Sequence, residues 1–209
     1  MYLPGVFHEQ DPTTLQQVME AHNFATLVTV HEGAPFATPL PFMLDRSQGR
    51  YGALVAHMAR ANPQWEHFTA SQEALVIFQG PHAYISPSWY ESEFAVPTWN
   101  YVAVHAYGFP QIVEDPATVQ QMLEQLVDLH EAPRPQPWRF AWSERHLNLL
   151  KGVVAFRMEI TRIEGKAKLS QNRPVEDRGG VIRNLRASPD CVEQAVAAQM
   201  AVRLPKGIG

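Results

Sequence analysis

Proline restricts this chain more than any other residue. It locks one backbone angle and removes a backbone donor, and the sequence holds 17 of them, where usage of about 5% would give roughly 10. Three of these, Pro35, Pro39 and Pro41, interrupt one otherwise apolar run from Ala34 to Leu44. Such a run is a strand that is bent, bulged or at the edge of a sheet. Pro133, Pro135 and Pro137 end a helical pattern, and six aromatic residues crowd the window from Tyr84 to Tyr101. A chain written this way is not mostly helix.

Enough apolar material remains for a core, because 45% of residues are hydrophobic and 18% charged, a balance that excludes disorder. A chain of 209 residues is long for one compact domain and short for two. The expectation is a single domain, residues 1–209, with helical additions at about 115–151 and 176–203. A single cysteine, Cys191, excludes an internal disulfide framework and a cysteine-based zinc site. The net charge of −4 argues against a generic nucleic-acid coat. It is unevenly spread, however, since Lys151 to Arg186 carries nine basic and four acidic residues. An anionic ligand or partner belongs near that segment. The chain lacks an apolar run of about 18 residues, and Met1 to Asp11 lacks a leader pattern, so the expected location is the cytoplasm, with no membrane contact.

The pattern of elements points to an α+β fold. Asp11-Pro12 and the stripe Leu15, Val18, Met19 open with a short amphipathic helix. Strand-like runs follow at Phe24 to Val30, Ala34 to Leu44, Tyr51 to His57, Glu73 to Gln79, Tyr84 to Tyr90 and Thr98 to Val113. Asn62-Pro63 starts a short helix, Asp115-Pro116 a longer one, and Ser143 another that stops at Gly152. Val153 to Ile163 alternates as a half-exposed strand, Lys166 to Arg173 reads as a basic loop, and Gly180 to Arg186 as a helical turn. Ser188-Pro189-Asp190 caps a last helix through Met200. Strands dominate the first half without regular βαβ alternation, which favours a mostly antiparallel barrel with peripheral helices.

Common catalytic motifs are absent: the sequence has no G-x-S-x-G, no phosphate-loop, no G-x-G-x-x-G and no H-E-x-x-H pattern. Its nine histidines show no tight ligand spacing, so no metal is expected. Three segments carry specific chemistry. His57 to Trp65 runs off a strand into a capped helix, where backbone N–H groups and Arg60 suit a phosphate; the ordinary alternative is a cap beside a solvated charge. Lys168 to Arg173 places two cations around three hydrogen-bonding side chains, and its alternative is a plain polar turn. Pro97 to Tyr101 offers a flat aromatic wall, or simply core packing. An anionic, flat, partly aromatic ligand such as flavin mononucleotide (FMN) fits all three.

Six ordered stretches add a resemblance. Met1-Tyr2-Leu3-Pro4 with Phe7, Leu40-Pro41-Phe42, His57 to Trp65, Tyr84 to Tyr90, Val96 to Tyr101 and Lys168 to Asn172 together resemble the PaiB family of FMN-binding negative transcriptional regulators. The resemblance spans residues 1 to about 186. It implies an FMN-binding split β-barrel, of the kind shared with pyridoxamine-phosphate oxidases and flavin reductases, working as a homodimer with FMN at the subunit interface. By position, His57, Arg60, Ala61 and Asn62 would hold the phosphate, and Thr38 and Leu40 would lie along the ring. Trp99, Lys168, Ser170 and Gln171 would complete the site. The family's name implies repression of genes. Contact with DNA is then an expectation that the acidic balance and the lack of a helix-turn-helix weaken. The competing expectation is a flavin reductase-like oxidoreductase without DNA binding, and a haem-handling split barrel is a third. No residue stands out as a catalytic acid or base.

Overall fold

The structure, a computed structural model, describes residues 1–204. Residues 205–209, the end of the expected domain, lie outside the described residues. In chain order the elements are β1 (His8–Glu9), α1 (Pro12–Ala21), β2 (Phe24–His31), β3 (Ala34–Pro41), β4 (Met43–Asp45), β5 (Ala53–Ala59), β6 (Ala74–Ile85), β7 (Thr98–Gly108), β8 (Gln111–Val113), α2 (Pro116–Glu131), α3 (Glu144–Leu149), β9 (Val153–Lys168), α4 (Val175–Ala187) and α5 (Cys191–Ala201). Strand order in the sheet is β3-β2-β6-β7-β9-β5-β4, with β1 and β8 also pairing with β9. Every ladder whose register is defined is antiparallel.

The described chain forms two compact units. One comprises residues 19–78 and 105–163. Its centre is aromatic: Phe42 meets Phe78 and Phe156 edge-on at 6.0 and 6.2 Å between ring centres. The α2 stripe of Val119 and Met122 packs on Val55 and Ala155, and Asp115 caps that helix by accepting from Thr118 N–H at 2.9 Å. The proline-rich strand β3 pairs with β2 along all eight residues and ends the strand order, so it is an edge strand. It runs beside β5 without sharing a ladder.

The other unit comprises residues 1–18, 79–104 and 164–204. Here α4 and α5 pack Val181, Ile182, Leu185, Val196, Ala197 and Met200 on Ala83, Ile85, Val102, Ala167 and Leu169. Gly180 lets α4 approach the Trp89 carbonyl, since a Cβ there would lie 2.2 Å from that oxygen.

Four expectations need correction; the first is Tyr84 to Tyr90, where no separate strand forms, because β6 runs on to Ile85 and a 3₁₀ turn, Pro87–Trp89, follows with Ser86 accepting from Ser88 N–H. Lys166 to Arg173 is not all loop, because β9 continues to Lys168. Pairing of His8 with Lys166 and Glu9 with Gly165 extends the strand, a tertiary contact that no local propensity reveals. The expected helical turn at Gly180 to Arg186 is a helix of 13 residues, where packing outweighs two consecutive glycines. After Asn62 the chain forms a five-residue 3₁₀ turn, Pro63–His67. Its geometry is set by Asn62 Oδ1 accepting from Gln64 N–H at 3.0 Å.

Candidate functional site

In the first unit the expected phosphate residues gather around the end of β5. His57 lies within that strand, opposite Ala155 of β9. Its Nδ1 is buried without a partner, and burial pushes the imidazole pKa below its ordinary value. The chain then turns, with Arg60 N–H bonded to the Gly152 carbonyl and Asn62 N–H to that of Ala59. Arg60 is exposed but not free to swing. Its Nε donates to the Lys151 carbonyl at 2.9 Å and its Nη2 to that of Val153 at 3.1 Å. The guanidinium also lies 5.6 Å from the Trp65 ring centre, and Trp65 Nε1 donates to the Arg60 carbonyl. No carboxylate pairs with Arg60 among the described residues. The result is a cation oriented by neutral groups and left electrically uncompensated.

Asn62 joins this turn to β3, donating through Nδ2 to Thr38 Oγ1 at 3.0 Å. Thr38 is half-buried, Leu40 is buried in the core and Ala61 is exposed. Gln64, fully buried, donates to the carbonyls of Leu27 and Phe36. Thus Thr38, Arg60, Ala61 and Asn62 come together, while Leu40 supports the strand from its inner side.

The second unit holds Trp99, Lys168, Ser170 and Gln171. Trp99 is 53% exposed, an open indole face braced edge-on by Tyr84 at 6.1 Å. The Lys168 ammonium donates to Thr98 Oγ1 and to the Trp99 carbonyl. Burial, and then the neighbouring Lys166, push its pKa below the ordinary lysine value. Ser170 adopts the left-handed region, φ 63°, and shares hydrogen bonds with the fully buried Asn100. Gln171 serves the backbone, accepting from Leu169 N–H and donating to the Ala167 carbonyl. Sequence reasoning passed over Asn100 and Asp177. Asn100 did leave a trace, as a polar residue on the buried phase of an alternating strand. Asp177, buried at the start of α4, left none; it accepts from Glu91 N–H, Ser92 N–H and Ser92 Oγ.

The donor sets suit FMN. A phosphate needs fixed cationic and N–H donors, which the turn after β5 supplies with Arg60, and a flat ring needs an open face and hydrogen-bonding groups, of which Trp99 and Lys168 are one example. When bound, FMN supplies hydride or electron transfer; the protein's part is to orient it. No group of three or more His, Cys, Asp and Glu that could hold a metal exists among the described residues. No helix there is long and apolar enough to cross a membrane.

Comparison with solved structures places the fold. The FAD and haem binding protein from Mycobacterium smegmatis superposes with a TM-score of 0.58 at 21% identity, covering 77% of this chain and 73% of that one. The flavocytochrome Anf3 from Azotobacter vinelandii gives 0.56 at 16%, covering 77% and 69%. The architecture is therefore the split β-barrel, an α+β fold. The family described as "Putative FMN-binding domain" matches residues 1–162. The Bacillus subtilis (strain 168) "Protease synthase and sporulation protein PAI 2" is 36% identical over 212 residues, covering 100% of both chains. An uncharacterized protein of Emericella nidulans is 32% identical over 223 residues, covering 87% of this chain and 89% of its own. The chain belongs to the PaiB family and carries its FMN-binding domain.

Proposed function

We propose that this chain is a flavin-dependent negative regulator of gene expression, a cytoplasmic homodimer with FMN at the subunit interface. Residues 1–209 act in it as one split-barrel domain with helical additions. Arg60 carries the flavin half of this reading, because a guanidinium oriented by two carbonyls and unmatched by a carboxylate is suited to a phosphate. His57, Ala61 and Asn62 join it at the phosphate, Thr38 and Leu40 lie along the ring, and Trp99, Lys168, Ser170 and Gln171 complete the site. The regulatory half rests on the full-length Bacillus subtilis relative, whose name refers to protease synthesis and sporulation. Direct DNA contact is the weakest part. The basic segment coincides with candidate cofactor residues, and the rest of the chain is acidic.

The test is the visible spectrum of the purified protein, with light scattering for its mass. A flavin spectrum on a dimer is expected, and a colourless monomer that takes up no added FMN overturns the reading. Low-salt gel shifts comparing promoter and random duplexes decide whether DNA is touched. One observation favours an oxidoreductase instead: His57, on the strand leading to the phosphate turn, keeps a buried Nδ1 without a protein partner. Anaerobic mixing with NADH or NADPH separates the two, since rapid bleaching of the flavin band favours a reductase and its absence favours a regulator.

A further inference from the structure

The second unit contains a cavity of about 170 Å³ whose lining includes Phe7, Tyr90, Thr98, Lys168, Ser170 and Arg173. We propose that this cavity receives the carboxylate of a small planar organic acid as a second ligand beside the flavin. The inference rests on the flavin reading in one respect, because Lys168 and Ser170 belong to both.

The chemistry of the lining selects the ligand. Two cations, Lys168 and Arg173, face a space with no carboxylate on its wall. The Thr98 hydroxyl and the Asn172 amide supply further donors, while Asn100 and Ser170 bond one another and stiffen the wall. These groups are built in rather than draped over the surface: Asn100 is fully buried and Ser170 nearly so. Ser170 is held in the left-handed region, a conformation that surrounding structure must impose on a residue with a Cβ. The loop returns through Arg173 N–H to the Ser170 carbonyl at 3.0 Å. Arg173 itself is laid over the Tyr90 ring, 4.7 Å from its centre, which fixes its direction.

Two further features narrow the class. The Phe7 and Tyr90 rings are apolar walls suited to a flat body. The volume of about 170 Å³ suits a body the size of one aromatic ring with its carboxylate. An anion there would also offset the burial, and after it the neighbouring Lys166 charge, that hold the Lys168 ammonium pKa down. The carboxylate of Asp177 influences Arg173 electrostatically, but Asp177 is already engaged by three donors and lies outside the lining.

Equilibrium dialysis with benzoate as probe tests the proposal, on FMN-loaded and FMN-free wild type and on Arg173→Gln and Arg173→Lys. Expected are saturable one-to-one binding to the FMN-loaded protein and at least tenfold weaker binding to Arg173→Gln. Arg173→Lys should recover part of the loss, with FMN affinity within about twofold throughout. Three results overturn it: no saturable binding to wild type, displacement of benzoate by FMN, or equal binding to both variants. Inorganic phosphate competing better than benzoate also overturns the carboxylate assignment. Flavin binding is read separately by fluorescence, so benzoate binding without FMN uptake sinks the flavin reading alone, and FMN uptake without benzoate binding sinks the cavity alone. Thermal midpoints show that each variant is folded, and Arg173→Lys keeps the test open should Arg173→Gln fail to fold.

Discussion

The turn after β5 and the loop after β9 look alike in sequence, each a cation among small polar residues at the end of a strand. They are built on opposite plans. At the turn, Arg60 is exposed and held by main-chain carbonyls of Lys151 and Val153, so its position depends on backbone that other residues fold. At the loop, Lys168 is half-buried and its surroundings rest on buried side chains, Asn100 and Asp177. The first plan makes its cation dispensable to stability. The second ties ligand chemistry to the integrity of the unit.

The largest effect should come from the loop side. Asp177→Ala removes a buried carboxylate that accepts three hydrogen bonds and should cost about 1.5–3 kcal/mol, the range for hydrogen bonds to a charged group. At about 2–4 °C per kcal/mol for a chain of this size, thermal denaturation should show it plainly; an unmoved midpoint would break the comparison. Arg60→Ala should do the reverse. FMN affinity falls about 10- to 150-fold, the equivalent of about 1.5–3 kcal/mol for charged hydrogen bonds, while the midpoint barely moves. Fluorescence titration reads the first and calorimetry the second, and unchanged affinity removes Arg60 from the site. Asn62→Ala loses the cap to Gln64 and the bond to Thr38 and should lower stability by about 1 kcal/mol, measurable by urea denaturation.

The smallest effect is one of pH. Burial lowers the folded pKa of His57; burial and then the charge of His31 lower that of His67. Both histidines lie in the first unit. Their unfolded forms bind protons at higher pH than their folded ones, so stability is complete above about pH 6.5 and declines as pH falls below it. In the second unit, burial pulls the Asp177 pKa up, but bonds from Ser92 and Glu91 and the charge of Arg173 bring the net shift down. Its contribution is present above about pH 3.9 and is lost only as pH falls through the lower folded value. Hydrogen exchange at about pH 5.5 should therefore loosen the first unit before the second, and simultaneous loosening would erase the distinction.

Much of this contrast was readable in the chain, and the unreadable part has a physical cause. Proline and asparagine act locally, so the edge strand at Pro35 to Pro41 and the cap at Asn62 could be read from neighbours a few positions away. Arg60 was legible as a cation, but its anchors were not, because main-chain carbonyls about 90 residues later carry no side-chain signature. The reach of β9 to Lys168 depends on His8 and Glu9, equally remote in sequence. Asp177 carried no local signal, and only the fold brings Glu91 and Ser92 to it.

The prolines of β3 also bear on what this protein will not do. Residues 35, 37, 39 and 41 share one side of the strand, and prolines turned toward β2 would each break the ladder that runs along its whole length. They therefore point to the free side, where Ala37 alone can donate. A strand from another molecule would find carbonyls to accept its N–H groups but a single donor in return, so this border resists the edge-to-edge stacking that seeds amyloid and insoluble aggregates.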